Sequence, residues 1–148
     1  KIIFIIVLLG AVGTAGYKVY ELGDKVGCNL LPANVVSIDL KPKHSKSISF
    51  VALGDTGTGD DEQQKVANAL DKVCKKYGCD MVLMLGDNFY EEGLKSFVDS
   101  QFETKFEKVY SQIKKPFISV LGNHDVKKDA LAQVIHNNHS DTWRMPNF

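Results

Sequence analysis

Three short apolar runs recur along the chain, and each is followed directly by a glycine. Residues 81–85 are five apolar side chains in a row, and similar strand-like runs cover residues 48–53 and 117–121. Runs this short are typical of strands, and the continuous one at residues 81–85 is typical of a strand buried on both faces of a sheet. The pattern therefore predicts three strands, with residues 81–85 in the centre.

The stretch between the first two runs has the pattern of an amphipathic helix. Apolar residues recur every three or four positions from Val66 to Tyr77, which places them on one side of a helix. Asp60 or Asp61 can cap the start of this helix, and Gly78 can end it. The first strand, the helix and the second strand form a unit of about 30 residues, the size of a right-handed crossover between parallel strands.

Two further helices are predicted, over residues 99–111 and residues 128–137. The first of these lies between the second and third strands and forms a second crossover. The chain therefore predicts an α/β fold with a parallel βαβαβ core and helices on the sheet faces. The side chains expected to face the sheet are Val66, Leu70, Val73 and Tyr77 in the first helix, Phe102, Phe106, Val109, Tyr110 and Ile113 in the second, and Ala130, Leu131, Val134 and Ile135 in the third.

An apolar segment at residues 2–15 stands apart from this pattern. It follows a lysine, is shorter than the ~18–20 residues that cross a bilayer, and ends in small residues, as a secretory signal does. An uncleaved membrane anchor and an ordinary buried helix or strand are the alternatives. We divide the chain into residues 1–22, a signal peptide or anchor, residues 23–46, a linker, and residues 47–148, the predicted α/β domain. The expected location is the secretory pathway, either secreted, lumenal or lysosomal, or membrane-anchored.

The charge balance and the cysteines narrow the choice of partners and compartment. Lys+Arg and Asp+Glu both number 18, so nothing in the net charge recruits nucleic acid. Cys74 lies in the last turn of the first predicted helix and Cys79 lies just past its glycine. A disulfide between them is sterically possible and would fit an oxidising compartment, although two buried thiols are an equally open interpretation. Cys28 has no evident partner.

Polar side chains follow all three strands. Asp55 follows the first strand, Asp87 and Tyr90 follow the second, and Asn123 and His124 follow the third. Because catalytic groups of open α/β sheets lie beyond the carboxyl ends of the strands, these residues are expected to lie together. Enzymes that hydrolyse phosphate esters often use two metal ions ~3.5–4 Å apart. Asp87 is placed to bridge such a pair, with Asp55 on one ion and Asn123 on the other. His124 would bind the phosphate or protonate the leaving group.

At these positions the chain resembles the purple acid phosphatases of the calcineurin-like metallophosphoesterase superfamily. Most of that superfamily has the pattern DxH…GDxx…GNH[DE], whereas this chain has Gly57 in place of the first histidine and gains Tyr90 in the second motif. The paired changes, DxG with GDxxY, are the purple acid phosphatase pattern. Further agreement at GDNFY, GNHD and the WRMP segment resembles the small, mammalian-type (tartrate-resistant) branch, over residues 47–148.

The resemblance implies a centre of two metal ions, Fe(III) together with Fe(II), Zn(II) or Mn(II). It implies that Asp55, Asp87 and Tyr90 hold the ferric ion, with Asp87 bridging. Asn123 would then ligate the divalent ion, and His124 would assist departure of the leaving group.

The resemblance also implies that the chain is the N-terminal portion of a longer enzyme. The family takes further histidine ligands from VxxH and GHxH motifs, which this sequence lacks, and His136 and His139 do not match them. The implied activity is hydrolysis of small phosphate monoesters, an acid phosphatase activity of the purple type. The alternatives are another metallophosphoesterase, such as a phosphodiesterase or nucleotidase, and a non-catalytic phosphate-binding member.

Overall fold

The structure, a computed structural model, describes the backbone of residues 6–11 and the chain from residue 47 to residue 146. In these residues one sheet is formed by strands β1 (Ile6–Ala11), β2 (Ser47–Leu53), β3 (Met81–Met84), β4 (Phe117–Ser119) and β5 (Trp143–Arg144). The helical elements are α1 (Asp61–Tyr77), α2 (Leu131–Ile135), a π-helix at Glu103–Glu107, and 3₁₀ turns at Asp125–Lys127 and His136–Asn138.

The centre of the sheet is parallel, as the sequence predicts. Strand β2 pairs with β3 at Val51 and Val82, and β3 pairs with β4 at Leu83 and Ile118. The strand β5, too short to leave a sequence pattern, runs parallel to β4, and β1 runs antiparallel to β2 at the opposite edge. The predicted α/β architecture with a parallel βαβαβ core is confirmed.

Both crossovers cover the same face of the sheet. Strands β2, β3 and β4 are neighbours in chain order, so two right-handed crossovers leave their helices on one side. The core on that side contains Val51, Leu53, Val82, Met84 and Phe117 from the strands and Ala67, Leu70, Phe102, Phe106, Tyr110 and Ile113 from the crossovers.

The prediction that residues 81–85 are buried on both faces is wrong. Val82 and Met84 are buried, whereas Leu83 is half-buried and Leu85 is 56% exposed. Side chains alternate between the two faces of a strand, and the described helices pack against the face of Val82 and Met84. Strand burial therefore depends on which face the crossovers cover, a property of topology rather than of the local run.

Helix α1 has the predicted boundaries. The carboxylate of Asp60 caps its start, and Gly78 follows its end with a φ of 80°. Cys74 and Cys79 form a disulfide across this helix end, which settles the alternative left open by the sequence. Tyr77, predicted to face the sheet, is 69% exposed instead, because the packed stripe ends a turn earlier.

The second predicted helix is irregular but buries the predicted side chains. Residues 101–107 are helical, with the π-helix at Glu103–Glu107, and turns continue to residue 112. Of the five side chains predicted to face the sheet, Val109 is half-buried and the other four are buried: Phe102, Phe106, Tyr110 and Ile113.

The third predicted helix is shorter than expected, and its buried side differs. Leu131 and Ile135, predicted to face the sheet, are 42% and 40% exposed. Gln133 is buried in their place, because its side chain accepts a hydrogen bond from Asn88 at 3.1 Å and its carbonyl accepts one from the Trp143 indole at 2.8 Å. A polar residue buried by such bonds is invisible to a search for apolar periodicity.

Most of the N-terminal predictions concern residues outside the described ranges. Within residues 1–22 the structure describes only residues 6–11, whose backbone forms β1, and the linker of residues 23–46, with Cys28, is not described. In the described part of the chain, every helix is too short or too polar to span a bilayer. The signal-peptide and anchor interpretations remain predictions.

Leu70 offers a test of the packing of α1. Leu70→Ala removes a side chain that is 1% exposed and should lower the free energy of unfolding by about 2–5 kcal/mol. Tyr77→Ala in the same helix is the control, and loss of its exposed ring should cost about 0.5 kcal/mol or less. Urea denaturation measures both values, and equal losses would contradict the described orientation of α1.

Candidate metal centre

Backbone hydrogen bonds join the loops that follow β2 and β3. The Asp55 amide donates to the Gly86 carbonyl at 3.2 Å. The Gly57 amide donates to the Asp87 carbonyl at 3.2 Å, and the Gly57 carbonyl accepts from the Tyr90 amide at 2.9 Å. These bonds extend the pairing of the two parallel strands past their ends, so that the first two motifs lie side by side.

Three side-chain oxygens converge between these loops. The phenol oxygen of Tyr90 lies 2.5 Å from Oδ1 of Asp55 and 3.0 Å from Oδ2 of Asp87. Burial, together with the hydrogen bonds to both carboxylates, raises the pKa of Tyr90 far above its usual value. Within residues 47–146, neither aspartate forms an ion pair with lysine, arginine or histidine. Two carboxylates therefore share one phenolic proton, an arrangement that attracts a cation.

The two aspartates hold an unusual backbone conformation. Asp55 has a φ of 56° and Asp87 a φ of 53°, and they are the non-glycine residues with positive φ in the described chain. The left-handed region costs an L-residue of the order of 1 kcal/mol or more, and such residues cluster at functional sites. Each aspartate follows a glycine at a strand end, and the sharp turn brings its carboxylate to Tyr90.

The loop after β4 reaches the same place. The His124 amide donates to Oδ1 of Asp87 at 2.9 Å, and the His124 ring lies 4.5 Å from the Tyr90 ring, centroid to centroid. A Cβ on Gly122 would lie 2.3 Å from Oδ1 of Asp87, so this approach requires glycine. Asn123, which lies between Gly122 and His124 in the chain, is exposed. The structure thus brings Asp55, Asp87 and Tyr90 into contact and places Asn123 and His124 beside them.

The Glu91 carbonyl holds the imidazole of His124, since it can accept a hydrogen bond from a protonated Nδ1. Its Nδ1 lies 2.5 Å from the carbonyl oxygen of Glu91 and 3.0 Å from Nζ of Lys127. The Lys127 ammonium also donates to the Glu91 carbonyl, at 3.1 Å. Because both described contacts of the ring nitrogens are at Nδ1, Nε2 is the nitrogen left to meet a substrate.

Gly57 lies too close to the neighbouring loop to carry a side chain. A Cβ at Gly57 would lie 2.0 Å from the carbonyl oxygen of Asn88. No side chain, including the histidine of other superfamily members, fits there while the two loops keep their pairing. Among the described residues, no three His, Cys, Asp or Glu side chains gather to hold a metal ion. The Tyr90 phenol and the two aspartates together present oxygen donors, which fit a cation that prefers oxygen ligands.

Two residues beside the centre have contacts that the sequence did not predict. The Asp125 carboxylate is fully buried and accepts hydrogen bonds from the amides of both neighbouring loops. Its place in the GNHD motif was a signal that it belongs to the site. Lys127 contacts the His124 ring, and nothing distinguishes it in sequence from its neighbour Lys128.

His136 and His139 have other partners. The ring of His136 stacks on Phe102 with centroids 3.4 Å apart, and its Nε2 lies 3.2 Å from Oε1 of Glu107. The ring of His139 stacks on Phe97 at 5.3 Å. Both histidines therefore contact residues outside the candidate metal centre.

The chain belongs to the calcineurin-like phosphoesterase family, whose sequence model matches residues 48–148. It is similar to purple acid phosphatase 7 of Arabidopsis thaliana, with 38% identity over 108 residues, 71% of this chain and 33% of the relative. It is also similar to human tartrate-resistant acid phosphatase type 5, with 33% identity over 109 residues, 68% of this chain and 34% of the relative. The chain spans about a third of the length of these curated relatives.

A solved structure gives the same picture of the fold. The structure of GAP50, the anchor in the inner membrane complex of Plasmodium, aligns with a TM-score of 0.58 and 25% identity, covering 67% of this chain and 32% of that chain. The resemblance to purple acid phosphatases that the motifs predicted is confirmed. The residues that the family matches include every candidate ligand, whose metal-binding roles remain predictions.

Gly57 and Gly54 offer a matched test of the loop geometry. Gly57→Ala should lower the free energy of unfolding by more than about 2 kcal/mol, because its Cβ would overlap the backbone of Asn88. Gly54→Ala is the control: its Cβ would meet Leu85 at an ordinary 3.5 Å, and the change should stay below about 1 kcal/mol. Denaturation of the metal-free protein measures both, and tolerance of alanine at Gly57 would contradict the described pairing.

Proposed function

We propose that this chain supplies part of the active site of a purple acid phosphatase, which hydrolyses small phosphate monoesters. The observation that carries the proposal is the convergence of the Tyr90 phenol with the carboxylates of Asp55 and Asp87 at the ends of β2 and β3. Membership of the calcineurin-like phosphoesterase family and similarity to plant and mammalian acid phosphatases support the same reaction.

The residues present fit a ferric ion and a divalent ion. Asp55, Asp87 and Tyr90 would hold Fe(III), because phenolate and carboxylate are hard anionic oxygen donors, and Asp87 would be shared between the ions. Asn123 would offer its amide oxygen to Fe(II), Zn(II) or Mn(II). When bound, such a pair supplies an activated water and positive charge for the phosphoryl oxygens. The family's remaining ligands are histidines in motifs that this sequence does not contain.

His124 acts on the substrate in this proposal. A protonated Nδ1 donates to the Glu91 carbonyl, and this hydrogen bond orients the ring beside Tyr90. Nε2 is then available to hydrogen-bond the phosphate or to protonate the departing alkoxide. The positive charge of Lys127 also favours approach of a phosphate dianion.

The same proposal places the domain in the secretory pathway, as a secreted, lumenal or lysosomal protein or as a membrane-anchored one. The disulfide between Cys74 and Cys79 supports an oxidising compartment, because disulfides are rare where the cell keeps thiols reduced. The apolar segment at residues 2–15 supports delivery across a membrane.

A non-catalytic role is the second candidate, and the likeness to GAP50, which is described as an anchor, favours it. Metal analysis of the full-length protein separates the two functions. A phosphatase should retain two metal ions for each molecule after exhaustive dialysis, whereas a protein that serves only as an anchor has no need of them.

Tyr90→Phe tests the phenol directly. We expect the iron-loaded full-length protein to show a visible absorption band, because a phenolate bound to Fe(III) gives a charge-transfer transition, and we expect Tyr90→Phe to lose it. Tyr110→Phe is the control, since Tyr110 is also buried but packs its ring on Phe106. A band of unchanged intensity in Tyr90→Phe would contradict the assignment.

His124→Ala tests proton transfer to the leaving group. We expect kcat to fall by about 10²–10⁴-fold on an alkyl phosphate, whose alkoxide needs a proton to depart. The loss should be much smaller on p-nitrophenyl phosphate, because p-nitrophenolate leaves without one. His139→Ala, which changes an exposed histidine, should leave both rates unchanged. Equal losses on the two substrates would show that His124 is not the acid.

A further inference from the structure

We propose that Asp125 is a positioning residue for the metal centre. Its carboxylate ties the loop that carries Asp87 and Tyr90 to the loop that carries Asn123 and His124, and so sets the separation of ligands from two motifs. This inference rests on the proposed function, and it adds a residue that neither binds metal nor touches substrate.

Hydrogen-bond donors from both loops surround this carboxylate. Asp125 is 0% exposed. Its Oδ1 accepts from the backbone amides of Asn88 and Phe89, each at 3.0 Å. Its Oδ2 accepts from the Gly122 amide at 2.8 Å and from the Asn88 side chain at 3.2 Å. Backbone amides from two separate motifs thus share one acceptor group.

The cost of burying this charge argues for a specific role. In the described part of the chain, Asp125 forms no ion pair with lysine, arginine or histidine. A buried carboxylate without a cation is costly unless hydrogen bonds satisfy it, and the amides of Asn88, Phe89 and Gly122 do so here. An apolar residue of similar volume would leave these three amides without an acceptor, which is costly for buried donors. The carboxylate therefore joins the two loops through hydrogen bonds that an apolar residue cannot form.

The contacts of Asp125 lie next to the ligands in sequence. Asn88 follows Asp87, and Gly122 precedes Asn123, so each hydrogen bond fixes the neighbour of a candidate ligand. Two ions ~3.5–4 Å apart need a bridging ligand and a terminal ligand at a fixed separation. Residues that orient metal ligands without binding the metal typically change metal affinity by about 10–100-fold.

A second layer of polar contacts supports the tie. The Asn88 side chain donates to the carbonyl of Val120 at 2.8 Å and to Oε1 of Gln133 at 3.1 Å. Gln133 lies in α2, and Val120 directly follows β4. Asp125 holds Asn88, and Asn88 in turn contacts the end of β4 and α2. The loop that carries Asp87 is therefore fixed to both the sheet and a helix.

Asp125→Asn tests the proposal, because it keeps the shape of the side chain but turns one acceptor oxygen into a donor facing amide hydrogens. We expect the Fe(III)-loaded full-length variant to bind Zn(II) about tenfold or more weakly in chelator competition, at a temperature where circular dichroism shows it folded. Leu70→Ala is the control for lost stability, and it should keep the Zn(II) affinity within about twofold because Leu70 lies in α1 and forms none of the hydrogen bonds that join these loops.

The outcomes separate this inference from the proposed function. If the wild-type protein binds neither ion, both fail. If the wild type binds both ions but Asp125→Asn keeps its affinity, or loses no more than Leu70→Ala, the positioning role alone is overturned.

If Asp125→Asn does not fold, hydrogen exchange on the wild type decides the question. Amides of Asn88, Phe89 and Gly122 as protected as those of β3 would support the tie. Exchange as fast as that of an exposed loop would overturn it.

Discussion

The contact of the Tyr90 phenol with the carboxylates of Asp55 and Asp87 is the interaction on which the site depends. It gathers oxygens from two motifs at one point, and burial with shared hydrogen bonds raises the pKa of the phenol. The contact persists at a cost, because both aspartates hold a left-handed backbone conformation. In the described residues neither carboxylate forms an ion pair with lysine, arginine or histidine.

The fold makes this contact possible through the order of its strands. Parallel strands end at one edge of the sheet, and β2, β3 and β4 lie side by side in chain order. Their loops continue the pairing, so that Gly57 lies against the backbone of Asn88 and leaves no room for a side chain. The close approach thus excludes a histidine at position 57, and Tyr90 contacts the two aspartates from the neighbouring loop.

The sequence predicts the parallel core and the candidate ligands because both depend on local pattern. Apolar runs ending at glycine mark the strands, and the polar residues that follow each strand mark the site. Properties set by distant parts of the chain were missed. The exposure of Leu85 depends on which face the crossovers cover, and the burial of Gln133 depends on its bond to Asn88. The backbone conformation of Asp55 and Asp87 comes from the paired loops and has no sequence signal of its own.

The metal-binding role of Tyr90 is tested most directly by anomalous diffraction from crystals of the iron-loaded full-length protein. We expect a peak at the iron edge roughly 2 Å from the Tyr90 phenol oxygen and from carboxylate oxygens of Asp55 and Asp87. Iron at another place, with the phenol still hydrogen-bonded to the two carboxylates, would contradict it.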